Sequence, residues 1–492
     1  MASSPRSKEK YGAYKPPAMA RFHLLLAAAA AAATLVAAPS DDHGLSGNGA
    51  APSGTDRKPP PLPAKPAKVG GSGPKADELA IVDGTDEEVH TVCRALVPGW
   101  AAEAGGPASL ALTPLIGGIT NLLWKVDAQP ASWCNTQQGR TCTVLVRRYG
   151  DGSEVLIDRT RETGVLQELS RQGFEVGLVS AFANGRVEKW LEGWKAFTLD
   201  QMRDPRIANA AAVQIARLHA VTPEHVKDIS AKDPALWRQL VEWLKMATDV
   251  TFDGGDDAGK ERLASLGRVG LNGVHELLVE LQQNYEFISA VGVEPSLVKF
   301  AHNDLLAGNI MINTLLPESD PKWPEVIIID FEYADYNYRA FDIGNHFHEW
   351  AGTDCEWDAF PTEEVQKEFI RKYLGKVGGW SAEAEHLYKE VQILGLASNL
   401  YWGLWAVIQS KHSTIDFDYL GYGTRRLARF RAEKENVYIA VGAVTEEGTA
   451  GGRVAKMDSN EETLKAGKQP ASSRYRGEGT VGKVDHGAQH DL

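Results

Sequence analysis

The chain has 492 residues, 43% of them hydrophobic, enough for a sizeable packed core with length left over for loose ends. Its formal net charge of −13 excludes a general nucleic-acid binder, because neutralising a phosphate backbone takes a clustered Lys/Arg excess; a local basic site for a nucleotide remains compatible. Cys93, Cys134, Cys142 and Cys355 are too few and too irregularly spaced for a disulfide framework and form no CxxC pair, so a reducing, cytoplasmic setting is expected.

In chain order, residues 22–38 come first: an apolar, alanine-rich run behind Arg21 that ends in small residues. It reads both as a targeting signal and as a low-complexity part of a disordered leader, and it is short for a membrane span. Residues 40–75 are dominated by Pro, Gly, Ser, Asp and Lys and cannot bury enough apolar surface to offset the entropy of ordering. Residues 1–75 are therefore expected to be a disordered leader, and 441–492, rich in Gly, Ser, Glu and Lys, a disordered tail.

The folded part opens with a helix. Thr85 and Glu88 have the spacing of a capping box, and Val89, Val92, Cys93 and Leu96 recur at helical intervals until Pro98. Strand-like runs follow at 110–116, 121–126, 143–148 and 178–182, separated by polar or Gly-rich turns, which predicts a small antiparallel sheet within 76–190. Residues 187–191 are expected to form the hinge. From there the pattern is mainly helical to 440, as in Ile207, Ala211, Ile215 and Leu218 behind Pro205. The predicted class is α+β, with a sheet-rich lobe followed by a larger helical lobe.

The chemically informative stretch is His302-Asn303-Asp304-Leu305-Leu306-Ala307-Gly308-Asn309, followed by an apolar strand, a Pro-containing connection, and a second strand ending on Asp330-Phe331-Glu332. Phosphoryl transfer asks for a carboxylate to orient the attacking hydroxyl and oxygen ligands to hold magnesium on the phosphates. Asp304, Asn309 and Asp330 are that set. The spacing His-x-Asp-x4-Asn, then a strand ending in Asp, resembles the catalytic and metal loops of the protein-kinase-like superfamily. His-Asn-Asp and Asp-Phe-Glu depart from the protein-kinase forms of these motifs and point to small-molecule kinases.

Residues 328–347 continue through Asp330-Phe331-Glu332-Tyr333, Tyr336-Asn337-Tyr338 and Phe341-Asp342-Ile343-Gly344-Asn345-His346, and this run resembles the choline/ethanolamine kinase family. The resemblance covers about 110–430. It implies a two-lobed protein-kinase-like fold and the use of ATP and Mg2+, with Asp304 as catalytic base and Asn309 and Asp330 as metal ligands. It implies that Gly117, Gly118, Thr120 and Asn121 form a turn over the ATP phosphates, a segment that by itself reads only as a hairpin turn. It also assigns Arg147 to the phosphates, although Arg148 is its neighbour on the opposite sheet face, with Glu162 or Glu168 as its partner.

Trp402 and Trp405 lie on one helical face, with Phe417 and Tyr422 in the segment beyond. Such aromatics usually build core, yet they can also hold an ammonium. The resemblance implies the second role, with Tyr333 completing the pocket and Glu349 as counter-charge. His346 and His348 lack the further ligands a metal site would need. Leu305-Leu306 resembles the ethanolamine kinases rather than the choline kinases, so the expected reaction is phosphorylation of ethanolamine for phosphatidylethanolamine synthesis. Choline, or both amino alcohols, is the alternative substrate. A silent kinase-like scaffold is the alternative of another class, and a homodimer is left open.

Overall fold

The computed structural model describes residues 76–444, except 102–104, 116–120, 135–140, 151, 227–228, 292–296 and 376–378. The leader, nearly all of the expected tail and the turn carrying Gly117, Gly118 and Thr120 therefore lie outside the described residues.

Helix α1 (Asp86–Leu96) begins at Thr85, whose side chain and that of Glu88 cap each other's backbone amides as the sequence predicts. Its apolar face, Val89, Val92 and Cys93, packs on an antiparallel sheet of order β1-β2-β3-β5-β4. The strands are β1 (Ser109–Leu115), β2 (Asn121–Gln129), β3 (Thr143–Tyr149), β4 (Leu178–Phe182) and β5 (Gly185–Lys189). Alternation decides which face each residue takes. Trp124 and Val126 on β2, Val144 and Val146 on β3, and Val187 on β5 face the small core under α1. Arg147, Arg186 and Glu188 take the other face, towards the helical body.

Helix α2 (Arg159–Arg171) starts at Asp158, which accepts from Thr160 N and Arg161 N, and lies between the sheet and the helical body. The expected hinge at 187–191 falls partly within β5. The chain leaves the sheet after Lys189 and reaches β6 (Trp194–Ala196), which already belongs to a second, three-stranded sheet with β8 (Ile310–Asn313) and β9 (Val326–Ile328). A third, two-stranded sheet pairs β7 (Val298–Ala301) with β10 (Asp335–Tyr338). Strands β6, β7 and β10 escape the sequence reading because runs of three or four residues hold too little alternation to register.

The helices of the body are α3 (Leu199–Arg203), α4 (Pro205–His219), α5 (Ala235–Thr248), α6 (Asp257–Val269), α7 (Val274–Val291), α8 (Arg339–Glu349), α9 (Glu363–Tyr373), α10 (Ala382–His412) and α11 (Tyr419–Val441). Helix α10 is their axle. It is apolar and long enough to cross a membrane by length and composition, but 94% of its most apolar window is buried inside the molecule. Helix α8 crosses it at Gly344 and Gly395, where a Cβ on Gly344 would stand 2.8 Å from Gly395 Cα and from the Val391 carbonyl. Gly442, left-handed, ends α11 a little past the expected edge at 440, and Ala443 N–H returns to the Tyr438 carbonyl at 2.9 Å.

Because backbone rather than a flexible side chain would meet that Cβ, Gly344→Ala should cost ~1–3 kcal/mol in urea denaturation. Gly379→Ala, where a Cβ meets nothing within 4 Å, is the control and should be silent. Equal stability of the two variants would show that α8 and α10 can part without cost.

Candidate active site

Strand β7 runs straight into His302, and the loop behind it is held by one carboxylate. Asp342, fully buried on α8, accepts from His302 N and Asn303 N at 2.8 Å each and sits 2.9 Å from His219 Nε2. Burial alone would raise the Asp342 carboxyl, but its contacts with His219 and His302 outweigh it and hold the carboxyl below its ordinary value. The loop stores local strain, since Asn303 has φ +68°. Its side chain donates to the Tyr333 carbonyl at 2.9 Å and accepts from Asn337 Nδ2 at 2.8 Å, which offsets that cost.

This scaffold presents Asp304. Its Oδ2 accepts from Asn309 Nδ2 at 2.9 Å, while Oδ1 is buried without a hydrogen-bond partner. Burial, then the charges of Glu349, Glu332 and Asp330, push its carboxyl well above the usual range. Ile329 N donates to the Asn309 carbonyl at 2.9 Å, which ties β9 and Asp330 to the same loop. Asp330 is also left-handed, with φ +62°, and its Oδ1 is likewise buried and unpartnered.

A ladder of alternating charges runs outward from Asp330. Arg147 Nη1 is 3.2 Å from Asp330 Oδ2, and Arg147 Nε donates to Glu188 Oε1 at 2.8 Å. Arg186 Nε donates to the same Glu188 oxygen at 2.8 Å and its Nη1 lies 2.6 Å from Glu162 Oε1. Glu162 Oε2 accepts from Arg159 Nη1 at 2.8 Å, and that nitrogen also reaches Glu332 Oε2 at 3.0 Å. Burial opposes ionisation of Glu188, but Arg147 and Arg186 outweigh it and hold the carboxyl at about 2. Glu332 goes the other way, pushed up to about 7 by burial and by the charges of Asp330 and Glu162. Carboxylate oxygens of Glu162, Asp330 and Glu332 lie within 4.8 Å of one another, a donor set that suits a hard divalent cation.

Beside Asp304 stands an aromatic box. Tyr333 and Trp402 meet edge to face at 5.5 Å, Trp402 and Trp405 at 5.5 Å, Phe417 and Tyr422 at 5.8 Å, and Tyr419 joins Trp405 to Phe417. Trp405 Nε1 donates to the Tyr333 hydroxyl at 2.9 Å and Trp402 Nε1 to Asn345 Oδ1 at 2.7 Å, so both indoles are fixed by their polar ends. Glu349, buried at the end of α8, lies close enough to raise the proton affinity of Asp304.

The family model for choline/ethanolamine kinase matches residues 112–431. An Arabidopsis thaliana protein named "Probable ethanolamine kinase" is 37% identical over 322 residues, covering 65% of this chain and 78% of its own length. Mouse ethanolamine kinase 2 is 33% identical over 324 residues, covering 65% and 75%. The chain belongs to the choline/ethanolamine kinase family. It is a kinase with a two-lobed, protein-kinase-like fold: the solved Plasmodium vivax ethanolamine kinase superposes with a TM-score of 0.59 at 24% identity, over 74% of this chain and 94% of that one.

Of the residues singled out by resemblance to this family, the structure brings Asp304, Asn309 and Asp330 to one loop pair, and Tyr333, Trp402, Trp405, Phe417, Tyr422 and Glu349 to one box beside them. Asn121 opens β2 and accepts from Arg159 Nη2 at 3.4 Å. Arg147 faces the kinase site, whereas Arg148 points to the α1 side and donates to the Ile81 carbonyl at 3.0 Å. The expected Glu162 or Glu168 partner of Arg147 needs correction. Arg186 stands directly across from Arg147 and takes Glu162, Glu168 sits at the far end of α2 with Arg171, Gln172 and His225, and Arg147 pairs with Glu188 and Asp330. His346 and His348 are core: each Nδ1 meets a backbone carbonyl, and burial lowers both, to about 4 and about 3. Leu305 is fully buried in the core, and Leu306 lies against Gly308.

The roles of Arg186, Glu188, Asp342 and Arg426 are missed by the sequence reading. Arg186 and Glu188 do leave a trace there, as two charges two residues apart in a strand, which places both on one face.

Glu188→Gln should cost about 3–5 kcal/mol at neutral pH, because it leaves two buried guanidiniums short of a counter-charge. Since Glu188 is held at about 2 against an ordinary 4.5, its contribution is complete above pH 4.5 and is lost as pH falls towards 2. The stability gap between the two proteins should therefore stay flat from about pH 8 to about pH 5 and narrow only below that. A gap that closes near neutrality would mean another group carries the effect.

Proposed function

We propose that this chain transfers the γ-phosphoryl group of ATP to the hydroxyl of ethanolamine. One observation carries the reading: a buried, unpartnered Asp304 Oδ1 stands beside an aromatic box closed by the Glu349 carboxylate. Such a site can hold a small cation by its charge and leave the attached hydroxyl at the carboxylate. The names of the Arabidopsis and mouse relatives support ethanolamine as that cation's source.

In this mechanism the ammonium lies against Tyr333, Trp402, Trp405, Phe417 and Tyr422 with Glu349 as counter-charge. The hydroxyl hydrogen-bonds to Asp304, and its proton passes to that carboxylate as the new oxygen–phosphorus bond forms and the bond to the leaving ADP oxygen breaks. Arg147, oriented by Glu188 and Asp330, faces the phosphates, with Asn121 at the start of β2 beside them. Asp330, whose Oδ1 has no partner, and Asn309 would hold Mg2+, and the nearby Glu332 and Glu162 oxygens fit the same kind of ion. When bound, the ion neutralises charge on the phosphate oxygens.

Choline is the second reading, favoured by the aromatic walls, which suit a trimethylammonium as well as a primary one. Radiolabel transfer from ATP to a panel of amino alcohols separates the two. Ethanolamine should exceed choline in kcat/KM by ~10-fold, a difference of about 1.4 kcal/mol that one contact at the ammonium end can supply. Equal use of both would make the enzyme bifunctional, and no transfer at all would return the chain to the scaffold reading.

Asp304→Asn should lower turnover by at least ~100-fold with the melting temperature little changed, and Asp330→Asn should lower turnover as much while also lowering the melting temperature, because it takes a counter-charge from buried Arg147. Near wild-type turnover in either purified variant would sink the mechanism.

A further inference from the structure

The Glu349 carboxylate that closes the box already has a cation. Arg426, on α11 and with no exposed surface, places Nη1 3.0 Å from Glu349 Oε1. Its Nη2 donates to Ser398 Oγ at 2.8 Å and to the Ser398 carbonyl at 3.3 Å. Ser398 Oγ in turn donates to Asn345 Oδ1 at 2.7 Å, the same oxygen that accepts from Trp402 Nε1 at 2.7 Å. One chain of hydrogen bonds thus joins the carboxylate, a buried guanidinium and the indole that walls the box. The guanidinium carbon also lies 5.6 Å from the centre of the Tyr422 ring, another wall of the box.

A buried ion pair gives little net stability, because desolvation cancels most of the attraction and well-packed apolar groups would serve as well. What it fixes is geometry. A guanidinium with a planar fork holds one carboxylate oxygen on one nitrogen and a serine on another in a fixed relative orientation, which the rotating donors of an ammonium do not impose. Helix α8 supplies Glu349, α10 supplies Ser398 and Trp402, and α11 supplies Arg426 and Tyr422, so the pair sets the register of the three helices whose side chains build the box.

We propose that Arg426 is a positioning residue for substrate specificity: it clamps one oxygen of Glu349 so that the carboxylate faces the amino-alcohol ammonium, and it shares that carboxylate with the substrate. The inference rests on the reading of the box as the amino-alcohol site. It makes recognition of the positive charge depend on a residue that does not itself touch the substrate.

The test is steady-state kinetics on the full chain with ethanolamine and ATP varied separately, for wild type, Arg426→Met, Arg426→Lys, Glu349→Gln and the double variant Glu349→Gln/Arg426→Met, with melting temperatures alongside. Arg426→Met should raise the ethanolamine KM by ~10-fold or more while the ATP KM stays within about twofold and kcat within about threefold. Arg426→Lys, which keeps the charge but loses the fork, should fall between it and wild type. If Arg426 acts through Glu349, the double variant should have the same ethanolamine KM as Glu349→Gln alone. That pair of variants also serves if Arg426→Met fails to fold, because removing both partners leaves no unpaired buried charge. Several outcomes overturn the inference: an unchanged ethanolamine KM, a parallel rise in both KM values, a lysine variant no better than methionine, or a double variant worse than Glu349→Gln. Failure of the wild type to phosphorylate any amino alcohol would instead remove the reading on which the inference stands.

Discussion

The ladder from Asp330 through Arg147, Glu188, Arg186, Glu162 and Arg159 to Glu332 is the constraint on which the arrangement of the molecule depends. It starts and ends on the segment after β9 and passes through two strands of the five-stranded sheet and the first turns of α2. Charges buried this way cost several kcal/mol each to desolvate and are repaid only by close, complementary partners, so the ladder adds little to stability while complete and a great deal of instability when one rung is removed. A structure held like this has a narrow choice of relative positions for sheet and helical body. A separate tie repeats the logic from the same first turn of α2, where Arg161, together with Arg238 of α5, reaches Asp335 Oδ2, at 3.0 Å and 3.2 Å.

Asp342 plays the corresponding part inside the helical body. Its two oxygens hold the backbone amides of His302 and Asn303 and thereby sustain a left-handed asparagine one residue before the proposed base. The second left-handed residue of the site, Asp330, stands at the end of the ladder. The strained positions are thus at or next to groups that face the cleft, Asp330 itself and Asn303 beside Asp304, and each is held by polar partners. The pattern is strain at the chemistry and rigidity around it. The close crossing of α8 and α10 at Gly344 belongs to the same scheme, since α8 carries Asp342, Asn345 and Glu349 on successive turns and any shift of the helix would move loop and box together.

What the sequence discloses and what it hides follow from the range of the interactions. The α1 cap, the longer strands and the His-x-Asp-x4-Asn loop depend on residues a few positions apart, so their spacing is visible in a linear reading. Arg147 against Arg148 is settled by alternation along β3, although only the structure gives the partner that each finds. The ladder is not visible in that way, because Arg147 and Asp330 are 183 positions apart and the register that sets Arg186 opposite Arg147 is a property of strand pairing. For the same reason the expected partners of Arg147, Glu162 or Glu168, are in space taken by others, Glu162 by Arg186 and Arg159 and Glu168 by Arg171 and Gln172. The box shows the limit from the other side. Trp402, Trp405 and Tyr422 do pack as core residues would, and what marks them as more than core is the carboxylate and the guanidinium brought beside them from α8 and α11.

On the proposed function, the charges of this site also explain how a buried carboxylate can serve as a base. Asp304 is surrounded by burial and by Glu349, Glu332 and Asp330, all of which raise its proton affinity. Each of those acidic neighbours, however, is a group that a cation approaches: an ammonium at Glu349, a divalent ion at Asp330 and Glu332. Cations at those groups would offset the very charges that raise the proton affinity of Asp304 and so favour its ionised form. Arg426 and Arg147 fit that scheme as fixed partial counter-charges: enough to keep Glu349 and Asp330 in position, and not enough to do the work of the ligands.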